Sequence, residues 1–522
     1  MYSPSKLKHS KDIYLVGEER YMYDFRYVFD DLNIKQLLPD VQAAEVLGRN
    51  SRTLLILCAR QKDKLKARLI ASGYTYGDNL LLADDIFDMF LTHKKDVVVW
   101  GAGAEGKRFI NDNTSEIAFI IDSGTPLSNI CGKKILRPNE VDLRNYYIVV
   151  ATVKYWPEIK RTLQAHDLKE DVDFTHFHGY MSLSKMMREC INSNPTADVS
   201  CSYPFEFCQI SPGGYINLCC LGMKPIAGGM KHQPFYSAWH SRLAKILRLS
   251  IINKTFVFCD EKPCPIIKAK QEFEYNAFFS PDNYERRSLD WPKEVNVSID
   301  HTCNLACKHC REDVFVASGA EKEDIGNIAD KLIDEVIPNV ETLVLAGNGE
   351  VFFSDTYQKM WKGSMAEKRN SISILTNGIL FTPDVWVELS KRYEKIGFSV
   401  SIDAATEETY KHIRGGDFKA LQKNLDYMGT LRRNNDIWYL HMNFVVRQEN
   451  VHELKDFILW AKELGADRVR VSKVENWVYD HVEFYRHISV FNENNSIKEE
   501  YRDAFSDDVF FDPIIEMVNI KV

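Results

Sequence analysis

The stretch HTCNLACKHCRED (301–313) follows the apolar run VNVSID (295–300), which is typical of a β-strand. It places Cys303, Cys307 and Cys310 in a Cys-x3-Cys-x2-Cys pattern on the loop that leaves this strand. Three thiolates this close together can hold three irons of a [4Fe–4S] cluster and leave the fourth iron open to an outside ligand, whereas a closed cluster site uses four cysteines. The stretch therefore predicts a metal centre with one open coordination position.

Short apolar runs separated by segments of helical periodicity continue after this loop, which is the pattern of parallel βα units. Their order predicts an incomplete (β/α)6 barrel, in which functional groups gather at the carboxyl ends of the strands. A zinc site built from the three thiolates and His309 is the alternative for the loop, but the repeated strand and helix pattern favours the iron–sulfur cluster. The six predicted strands are 295–300, 342–347, 371–375, 396–403, 439–446 and 468–474.

The triplet in this context resembles the radical SAM superfamily, whose fold is a partial TIM-like barrel of this kind. The resemblance implies that S-adenosylmethionine occupies the open iron through its amino and carboxylate groups. It further implies that the cofactor is cleaved reductively to a 5′-deoxyadenosyl radical, which abstracts hydrogen from a substrate, and that a donor such as flavodoxin or ferredoxin supplies the electron. His309 departs from the family, which most often has an aromatic residue at this position.

Residues after the later strands resemble the cofactor contacts of that family. The segment AGNGEVFF contains Gly347, Gly349 and Glu350, which resemble a glycine-glycine-glutamate motif that receives the methionine ammonium. Glycine allows close backbone approach, and a carboxylate binds a cation. Each such polar residue is also a common turn former or helix cap, but their recurrence after successive strands favours a ligand site. The set is completed by Asn377 after the third strand, Ser401 and Asp403 on the ribose side of the cofactor, and Arg414 as a partner for a carboxylate.

A second group of cysteines precedes the barrel, in CSYPFEFCQISPGGYINLCC (201–220) and FCDEKPCP (258–265). The spacing, with the amphipathic segment 235–251 between the two halves, resembles the SPASM domain, which holds auxiliary iron–sulfur clusters in many radical SAM enzymes. That domain usually has seven cysteines and follows the barrel, whereas this region has fewer and precedes it. One auxiliary [4Fe–4S] cluster is predicted, with a four-cysteine zinc ribbon as the alternative. The predicted ligands are Cys201, Cys219, Cys259 and Cys264, with Cys208 and Cys220 as substitutes.

The first 185 residues contain an internal repeat. KDIYLVG (11–17) recurs as KDVVVWG (95–101), and TLLILCA (53–59) recurs as YYIVVAT (146–152), which predicts two similar α/β units that resemble Rossmann-like modules. The second unit has the glycines of a dinucleotide-binding turn in GAGAEGKRF, followed about twenty residues later by Asp122. The corresponding loop of the first unit carries glutamates, which disfavour anion binding. Nucleotide or nucleotide-sugar binding in the second unit, and a docking role without a ligand, are both left open.

Composition and charge fit an ordinary chain of several domains. The 522 residues exceed a single core, and 45% hydrophobic with 27% charged residues is usual for globular proteins. The start lacks a signal-peptide core and no apolar run approaches the length of a membrane helix, so a cytoplasmic protein without membrane contact is expected. The net charge of −8 gives no support for nucleic-acid binding. The predicted domains are 1–90 and 91–185 (Rossmann-like), 200–270 (SPASM-like), 290–475 (the barrel) and 476–522 (a C-terminal extension).

Together these patterns predict a radical SAM enzyme with one auxiliary cluster that acts on a peptide, a protein or a sugar-containing substrate. Two alternatives remain open. In one, the chain is a catalytically inactive iron–sulfur or zinc scaffold that recruits partners through its Rossmann-like repeats; in the other, S-adenosylmethionine is a methyl donor. The presence of the three cysteines together with GNGE favours the radical enzyme. Methyl transfer is less favoured, because the sequence has no extra cysteine near the barrel mouth that would call for it.

Overall fold

The computed structural model divides the chain into two compact units. Unit 1 consists of Met1–Phe205, Asn217–Gly228 and Tyr236–Asp290, and unit 2 consists of Glu206–Ile216, Gly229–Phe235 and Trp291–Val522. None of the described helices combines the length and the apolar character needed to cross a bilayer. The residues that the structure describes are 7, 11–45, 47, 52–91, 95–114, 116–152, 155–168, 173–176, 182–194, 201–220, 223, 225–231, 233–259, 264, 267, 289–345, 348–363, 369–474, 482–492, 496–518 and 520.

Four parallel strands form the first sheet of unit 1. They are β1 (Asp12–Gly17), β2 (Ile34–Leu38), β3 (Thr53–Cys58) and β4 (Leu80–Leu82), in the order β2-β1-β3-β4. All six residues of β3, TLLILC, are buried, as expected for an inner strand of a parallel sheet covered on both faces. The accompanying helices are α1 (Glu19–Val28), α2 (Val41–Glu45), α3 (Lys62–Ala71) and α4 (Ala83–Phe90).

A second sheet in unit 1 repeats this arrangement. Its strands are β5 (Val97–Trp100), β6 (Ile117–Ile121), β7 (Asn129–Ile130), β8 (Lys133–Leu136), β9 (Tyr147–Val150) and β10 (Phe174–His176), in the order β10-β9-β5-β6-β8-β7. Helices α5 (Ala104–Asp112) and α6 (Trp156–Ala165) accompany them. The strands β6-β5-β9-β10 have the same order as β2-β1-β3-β4, which is the arrangement expected from the internal repeat, and β8 and β7 extend the second sheet beyond the repeat.

The correspondence extends to a glycine at the end of the first strand of each sheet. Gly17 ends β1 with φ +132°, and a Cβ placed there would overlap Cys58 O. Gly101 follows β5 with φ +126°, and its Cβ would lie 3.0 Å from Ala151 O. Both positions therefore require glycine for the same reason, which is a positive φ combined with close approach to the neighbouring strand end.

Four more helices are described in unit 1 or at its boundaries: α7 (Leu183–Asn192), α8 (Tyr203–Glu206), α9 (Phe235–Trp239) and α10 (Arg242–Ile252). Helix α10 is buried along most of its length. Asn253, directly after it, donates from Nδ2 to Asp24 Oδ2 at 3.0 Å and to Cys190 O at 3.2 Å. Because Asp24 lies on α1 and Cys190 on α7, the helix from the region predicted as a separate domain at 200–270 packs onto the first α/β sheet of unit 1.

Unit 2 is built on a ten-stranded sheet. Its strands follow the order β13-β12-β11-β14-β15-β16-β17-β18-β19-β20, and the neighbours from β11 through β14 to β20 are parallel. Burial alternates along β14 and β18, as expected for strands with one covered face, whereas β15 is buried at every position except Thr342. The strands are β11 (Phe207–Ser211), β12 (Tyr215–Asn217), β13 (Gly228–Gly229), β14 (Glu294–Val297), β15 (Thr342–Leu345), β16 (Arg369–Thr376), β17 (Tyr393–Ser401), β18 (Tyr439–Val446), β19 (Arg468–Lys473) and β20 (Ile515–Val518).

Helices connect the parallel strands of unit 2, and several begin at side-chain caps. Ser354, Thr382, Thr406 and Asp417 each accept a hydrogen bond from a backbone N–H of the first helical turn. The helices are α11 (Gly319–Lys331), α12 (Asp355–Lys362), α13 (Pro383–Arg392), α14 (Glu407–Ile413), α15 (Phe418–Arg433), α16 (Leu454–Leu464) and α17 (Val482–Ile488). A π-helical turn extends α11 over Leu332–Val336, and short 3-10 helices lie at Pro138–Glu140, Leu143–Asn145, Ile337–Asn339, Val451–Glu453, Glu499–Phe505 and Asp508–Phe511.

All six predicted barrel strands are present, but the sheet is longer than the predicted (β/α)6 barrel. Strand β11, inside the region predicted as the SPASM-like domain, pairs in parallel with β14, with Phe207 opposite Glu294. Strand β20, inside the predicted C-terminal extension, pairs in parallel with β19. The predicted domains 200–270 and 476–522 place these two segments outside the barrel, whereas in the structure their strands extend its sheet. Pairing with a strand far away in the sequence leaves no local pattern in runs as short as FCQIS or IEMV.

Candidate active site

Three thiols are grouped on the cysteine loop, which comprises residues 301–313 and follows β14. Cys303 and Cys307 are buried, Cys310 is half-buried, and all three pack around Leu305. A turn fixes the second and third cysteines, because Cys310 N donates to Cys307 O at 2.8 Å. Burial raises the pKa of the Cys307 thiol to about 11, and the neighbouring thiols of Cys310 and Cys303 act in the same direction. The triplet predicted from the sequence is thus brought together at the carboxyl end of a sheet strand.

The chemistry of this donor set fits a [4Fe–4S] cluster. Thiolates are the ligands that such clusters use, and a set of three leaves one iron open. Burial raises the pKa of Cys303 and Cys307, and a cluster would require both thiols to be deprotonated. Within the described ranges, no three His, Cys, Asp or Glu side chains already stand as a closed metal site. The three thiols share one loop and one apolar cluster, and their number and chemistry are those of a cluster site with one open iron.

The predicted cofactor residue Glu350 is buried and joins two strand ends. Its Oε1 accepts from Thr376 Oγ1 at 2.6 Å and from Phe352 N at 3.2 Å, and its Oε2 accepts from Asn377 N at 2.7 Å. Burial raises the pKa of Glu350, and these three hydrogen bonds act against that increase. The carboxylate consequently holds the loop after β15 against the end of β16, a role that the sequence did not reveal.

Two more predicted residues connect the same strand ends to the cysteine loop. Asn377 donates from Nδ2 to Asn304 Oδ1 at 2.8 Å, next to Cys303. A Cβ on Gly349 would overlap Asp300 O and lie 2.6 Å from Thr302 O. Glycine is therefore needed at 349 for contact within the chain, whereas the sequence pattern had suggested contact with a ligand. The remaining glycine of the motif, Gly347, lies outside the described residues.

Asp403 and Arg414 form a buried ion pair beside the triplet. Arg414 Nη1 donates to Asp403 Oδ2 at 2.8 Å, and Asp403 Oδ1 accepts from Val445 N at 2.8 Å. Asp403 has φ +64°, a strained backbone conformation for a residue other than glycine. Burial opposes the charge on Arg414, but the Cys307 and Asp403 anions outweigh it and hold the guanidinium pKa above its ordinary value. Ser401, also predicted, lies half-buried at the end of β17.

His309 lies close to this ion pair and is neutral. Its Nε2 is 3.7 Å from Asp403 Oδ2, but burial lowers the pKa of His309 to about 4. At neutral pH the ring therefore carries no charge to offset the Asp403 carboxylate. Its place between Cys307 and Cys310 makes it part of the wall around the thiols.

Sequence reasoning missed a buried network at the base of the cysteine loop. Asp300 Oδ1 accepts from Thr302 N at 2.8 Å and Asp300 Oδ2 accepts from Ser354 Oγ at 2.5 Å. The Tyr357 hydroxyl accepts from Asp300 N at 3.1 Å and donates to Asp300 O at 3.2 Å. The network ties the loop to α12. The one available indication was an acidic residue placed directly between an apolar strand and the first cysteine.

The four predicted ligands of the auxiliary site all belong to unit 1 and are close to one another. Burial raises the pKa of Cys201 to about 12, and the Cys219 and Cys264 thiolates add to that increase. Burial likewise raises the pKa of Cys259, and the other three cysteines contribute. The four predicted ligands therefore lie within electrostatic reach of one another, although among the described residues they do not already form a metal site. The substitute ligand Cys208 lies in β11 of unit 2, and Cys220 is exposed.

In the glycine turn after β5, the carboxylate of Asp122 is hydrogen-bonded to backbone N–H groups of the protein itself. Asp122 Oδ2 accepts from Ala102 N at 2.7 Å, and Asp122 Oδ1 accepts from Gly124 N at 2.8 Å and Thr125 N at 2.7 Å. In a dinucleotide site this carboxylate would bind a ribose hydroxyl. Here it stabilises its own loop, which supports the docking alternative more than nucleotide binding.

Residues 297–461 match the family described as the Radical SAM superfamily. This part of the chain, from the end of β14 into α16, is therefore a radical SAM domain. The class predicted from the cysteine triplet, a radical SAM enzyme, is confirmed. Enzymes of this family use a [4Fe–4S] cluster and S-adenosylmethionine, so the principal cofactors predicted from the sequence are confirmed as well.

Individual relatives cover only part of the chain. It is similar to the antilisterial bacteriocin subtilosin biosynthesis protein AlbA of Bacillus subtilis (strain 168), with 27% identity over 198 residues, 36% of this chain and 40% of that protein. It is also similar to the AdoMet-dependent heme synthase of Nitratidesulfovibrio vulgaris, with 27% identity over 181 residues, 33% of this chain and 46% of that protein. The matched segments thus span less than half the length of either relative.

Solved structures show a more distant likeness. The structure of Streptococcus suis SuiB bound to the precursor peptide SuiA has 14% sequence identity and a TM-score of 0.32, and the match covers 47% of this chain and 55% of that one.

Proposed function

We propose that Cys303, Cys307 and Cys310 hold a [4Fe–4S] cluster, and that the carboxyl ends of the strands in unit 2 hold S-adenosylmethionine and a substrate. The observation that carries the proposal is the grouping of the three thiols with the buried Asp403–Arg414 pair. Because β14 to β19 are parallel, the residues that follow them meet at one edge of the sheet. That edge is where a barrel of this kind performs its chemistry.

When bound, the cluster and cofactor supply one-electron cleavage of a carbon–sulfur bond, which releases methionine and a 5′-deoxyadenosyl radical that takes a hydrogen atom from the substrate. The chain's own residues shape the place where this occurs. Glu350 and Asn377 hold the strand ends and the cysteine loop in one arrangement. Arg414 presents a buried positive charge next to Cys307, and Leu305 excludes water from the thiols.

A peptide or a protein side chain is the substrate class that we favour, with a sugar-containing metabolite as the alternative. Support comes from the relative AlbA, whose name assigns it to the biosynthesis of a bacteriocin. A one-electron donor such as flavodoxin or ferredoxin would act with the protein. Incubation with a short peptide encoded by a neighbouring gene, followed by mass spectrometry, tests the substrate class, and an unmodified peptide would count against it.

We infer a second [4Fe–4S] cluster on Cys201, Cys219, Cys259 and Cys264. Cys201 and Cys259 are half-buried. Burial raises the pKa of each, and its neighbours in the set add to that increase, so the four sulfur donors share one region. Four thiolates are the ligands of a closed iron–sulfur cluster. They also suit zinc, which is the alternative occupant.

Anaerobic reconstitution with iron and sulfide tests both centres. We expect about eight irons per chain, in two four-iron clusters, and formation of 5′-deoxyadenosine when dithionite and S-adenosylmethionine are supplied. Replacement of Cys303, Cys307 and Cys310 by alanine is expected to leave about four irons and to abolish cleavage.

Other outcomes would contradict specific parts of the proposal. Zinc in place of the residual iron would show that the upstream site is a zinc site. Unchanged cleavage in the triple variant would remove the triplet from the mechanism. Formation of S-adenosylhomocysteine in place of 5′-deoxyadenosine would make the protein a methyltransferase.

A further inference from the structure

Several buried side-chain atoms in one region of unit 2 have no hydrogen-bond partner among the described residues. They are Tyr410 Oη, Arg414 Nε, Arg447 Nη1 and His309 Nδ1. These side chains interact through their charges. Arg414 and Arg447 both act to lower the pKa of His309, and Arg414 acts to lower the pKa of Tyr410. A buried polar group without a partner is costly, and native proteins keep few of them. Four together indicate that a bound group completes this region.

Tyr410 stands against the cysteine loop. It lies on α14 and is fully buried. Lys308 N, next to Cys307, donates to Ile413 O at 3.0 Å, which fastens the carboxyl end of α14 to the loop. A Cβ on Gly416 would lie 3.1 Å from side-chain atoms of both Leu305 and Tyr410. The ring of Tyr410 and the centre of the cysteine loop therefore converge on the same glycine.

Both Tyr410 and Arg414 are hydrogen-bond donors at neutral pH. Burial raises the pKa of Tyr410; Arg414 opposes that effect and Cys307 adds to it, so the hydroxyl keeps its proton. Arg414 keeps its charge because a guanidinium is not deprotonated in proteins and because its ion pair with Asp403 stabilises the charge. Its Nη1 is used by Asp403 at 2.8 Å, whereas its Nε–H is not used within the described chain. Two donors without a partner in the described chain thus lie on α14 and directly after it, where Lys308, next to Cys307, is hydrogen-bonded to the carboxyl end of the helix.

We propose that the Tyr410 hydroxyl and the Arg414 Nε–H donate hydrogen bonds to the Cys307 sulfur and the cluster sulfides next to it, and so set the reduction potential of that cluster. The inference rests on the proposed function, because it requires a cluster at the triplet. Hydrogen bonds to the sulfurs are one of the means by which proteins tune such clusters. They stabilise the reduced state, which carries the extra negative charge, and they therefore raise the potential.

The test is a redox titration of the Tyr410→Phe variant, which loses one O–H and keeps the ring. Dithionite, acting through mediator dyes, gives one electron to each oxidised cluster and is itself oxidised to sulfite, and electron paramagnetic resonance follows the reduced cluster. The signal that disappears when Cys303, Cys307 and Cys310 are replaced by alanine identifies the cluster concerned. We expect reduction to become about tenfold less favourable, which is a fall of about 59 mV for one electron. Arg414→Lys, which keeps the charge and removes the Nε–H, is expected to lower the potential in the same direction.

Tyr393→Phe is the matched control. Tyr393 is also a buried tyrosine of unit 2, at the start of β17, and its hydroxyl donates to Trp361 O at 3.4 Å. Its loss removes a buried hydroxyl far along the strand from the cysteine loop, so the potential is expected to stay unchanged. An unchanged potential in Tyr410→Phe with the cluster still present would overturn this inference and leave the proposed function intact, as would an equal fall in both tyrosine variants. Absence of any cluster at the triplet in the unmodified protein would overturn the proposed function itself.

Discussion

At the scale of single residues, Glu350 tests whether a buried carboxylate organises the site or binds a ligand. In Glu350→Gln an N–H2 group replaces one carboxylate oxygen, so Phe352 N or Asn377 N loses its acceptor. A buried donor left unpaired costs about 1–3 kcal/mol. We expect the free energy of unfolding, measured by chemical denaturation, to fall by about that amount, and affinity for S-adenosylmethionine to fall with it because the strand ends loosen.

Glu388→Gln is the control for that change. Glu388 is half-exposed and pairs at the surface with Lys391 and Arg392, and such pairs contribute little to stability. No measurable loss of stability is expected. A Glu350→Gln protein of normal stability with selectively weakened cofactor binding would instead support the ammonium-binding role predicted from the resemblance.

The cysteine triplet was predictable at this scale, and its surroundings were not. Cysteines at fixed short spacing have few uses, so Cys303, Cys307 and Cys310 could be identified from a single stretch. Tyr410 and Asp300 could not, because their importance lies in contacts with residues distant in the sequence. A tyrosine on a helix is most often a packing residue, and no pattern of spacing separates it from one that faces a cluster.

At the scale of elements, Gly349 decides how closely the loop after β15 approaches the cysteine loop. Gly349→Ala would push its Cβ into the Asp300 and Thr302 carbonyl oxygens. Overpacking of this kind typically costs about 1–3 kcal/mol, and the backbone atoms involved have no rotamer to change. We expect lower stability together with loss of iron from the triplet, measured by thermal unfolding and by iron analysis of the reconstituted variant.

Gly326→Ala provides the opposite case within the same unit. Gly326 lies in α11, and a Cβ there meets nothing within 4 Å. Alanine favours the helix over glycine by about 0.5–1 kcal/mol, so this variant is expected to be slightly more stable and to bind iron normally. If Gly349→Ala behaved in the same way, the close approach of the two loops would not matter for the site.

Local periodicity predicted the strands whose apolar pattern is long enough to recognise, and it missed the short ones. Strand β18 was predicted with its observed bounds because YLHMNFVV alternates over eight residues. Strands β11 and β20 were missed because FCQIS and IEMV are short, and each owes its place to hydrogen bonds with a strand distant in the sequence. The ends of the parallel sheet are therefore the part of the fold that sequence patterns describe least.

At the scale of the whole molecule, the division into units does not follow the order of the predicted domains. The upstream cysteine region is split, since 206–216 belongs to unit 2 while the four predicted auxiliary ligands belong to unit 1. In unit 1 these ligands flank α10, which packs on α1 and α7 through Asn253. A metal bound there would link three segments of unit 1 that are separate in the sequence.

Metal binding at the upstream site is accordingly expected to stabilise unit 1. The free energy of binding adds to the free energy of folding when the unfolded chain has no preformed site. Calorimetry of the full chain, with and without reconstitution, should show a thermal transition that rises by about 2–4 °C for each kcal/mol of binding energy. Replacing Cys219 by serine should abolish that rise, because serine cannot replace a thiolate ligand.

Cys220→Ser makes the prediction specific to the ligand set. Cys220 is the neighbour of Cys219 in the chain and is exposed, whereas Cys219 is half-buried and acts on the pKa of both Cys201 and Cys259. The variant should keep the full rise in the transition temperature, since Cys220 is exposed and is not one of the four predicted ligands. If Cys220→Ser lost the rise and Cys219→Ser kept it, Cys220 would replace Cys219 in the ligand set. If both variants kept the rise, the upstream thiols would bind no metal on which the stability of unit 1 depends.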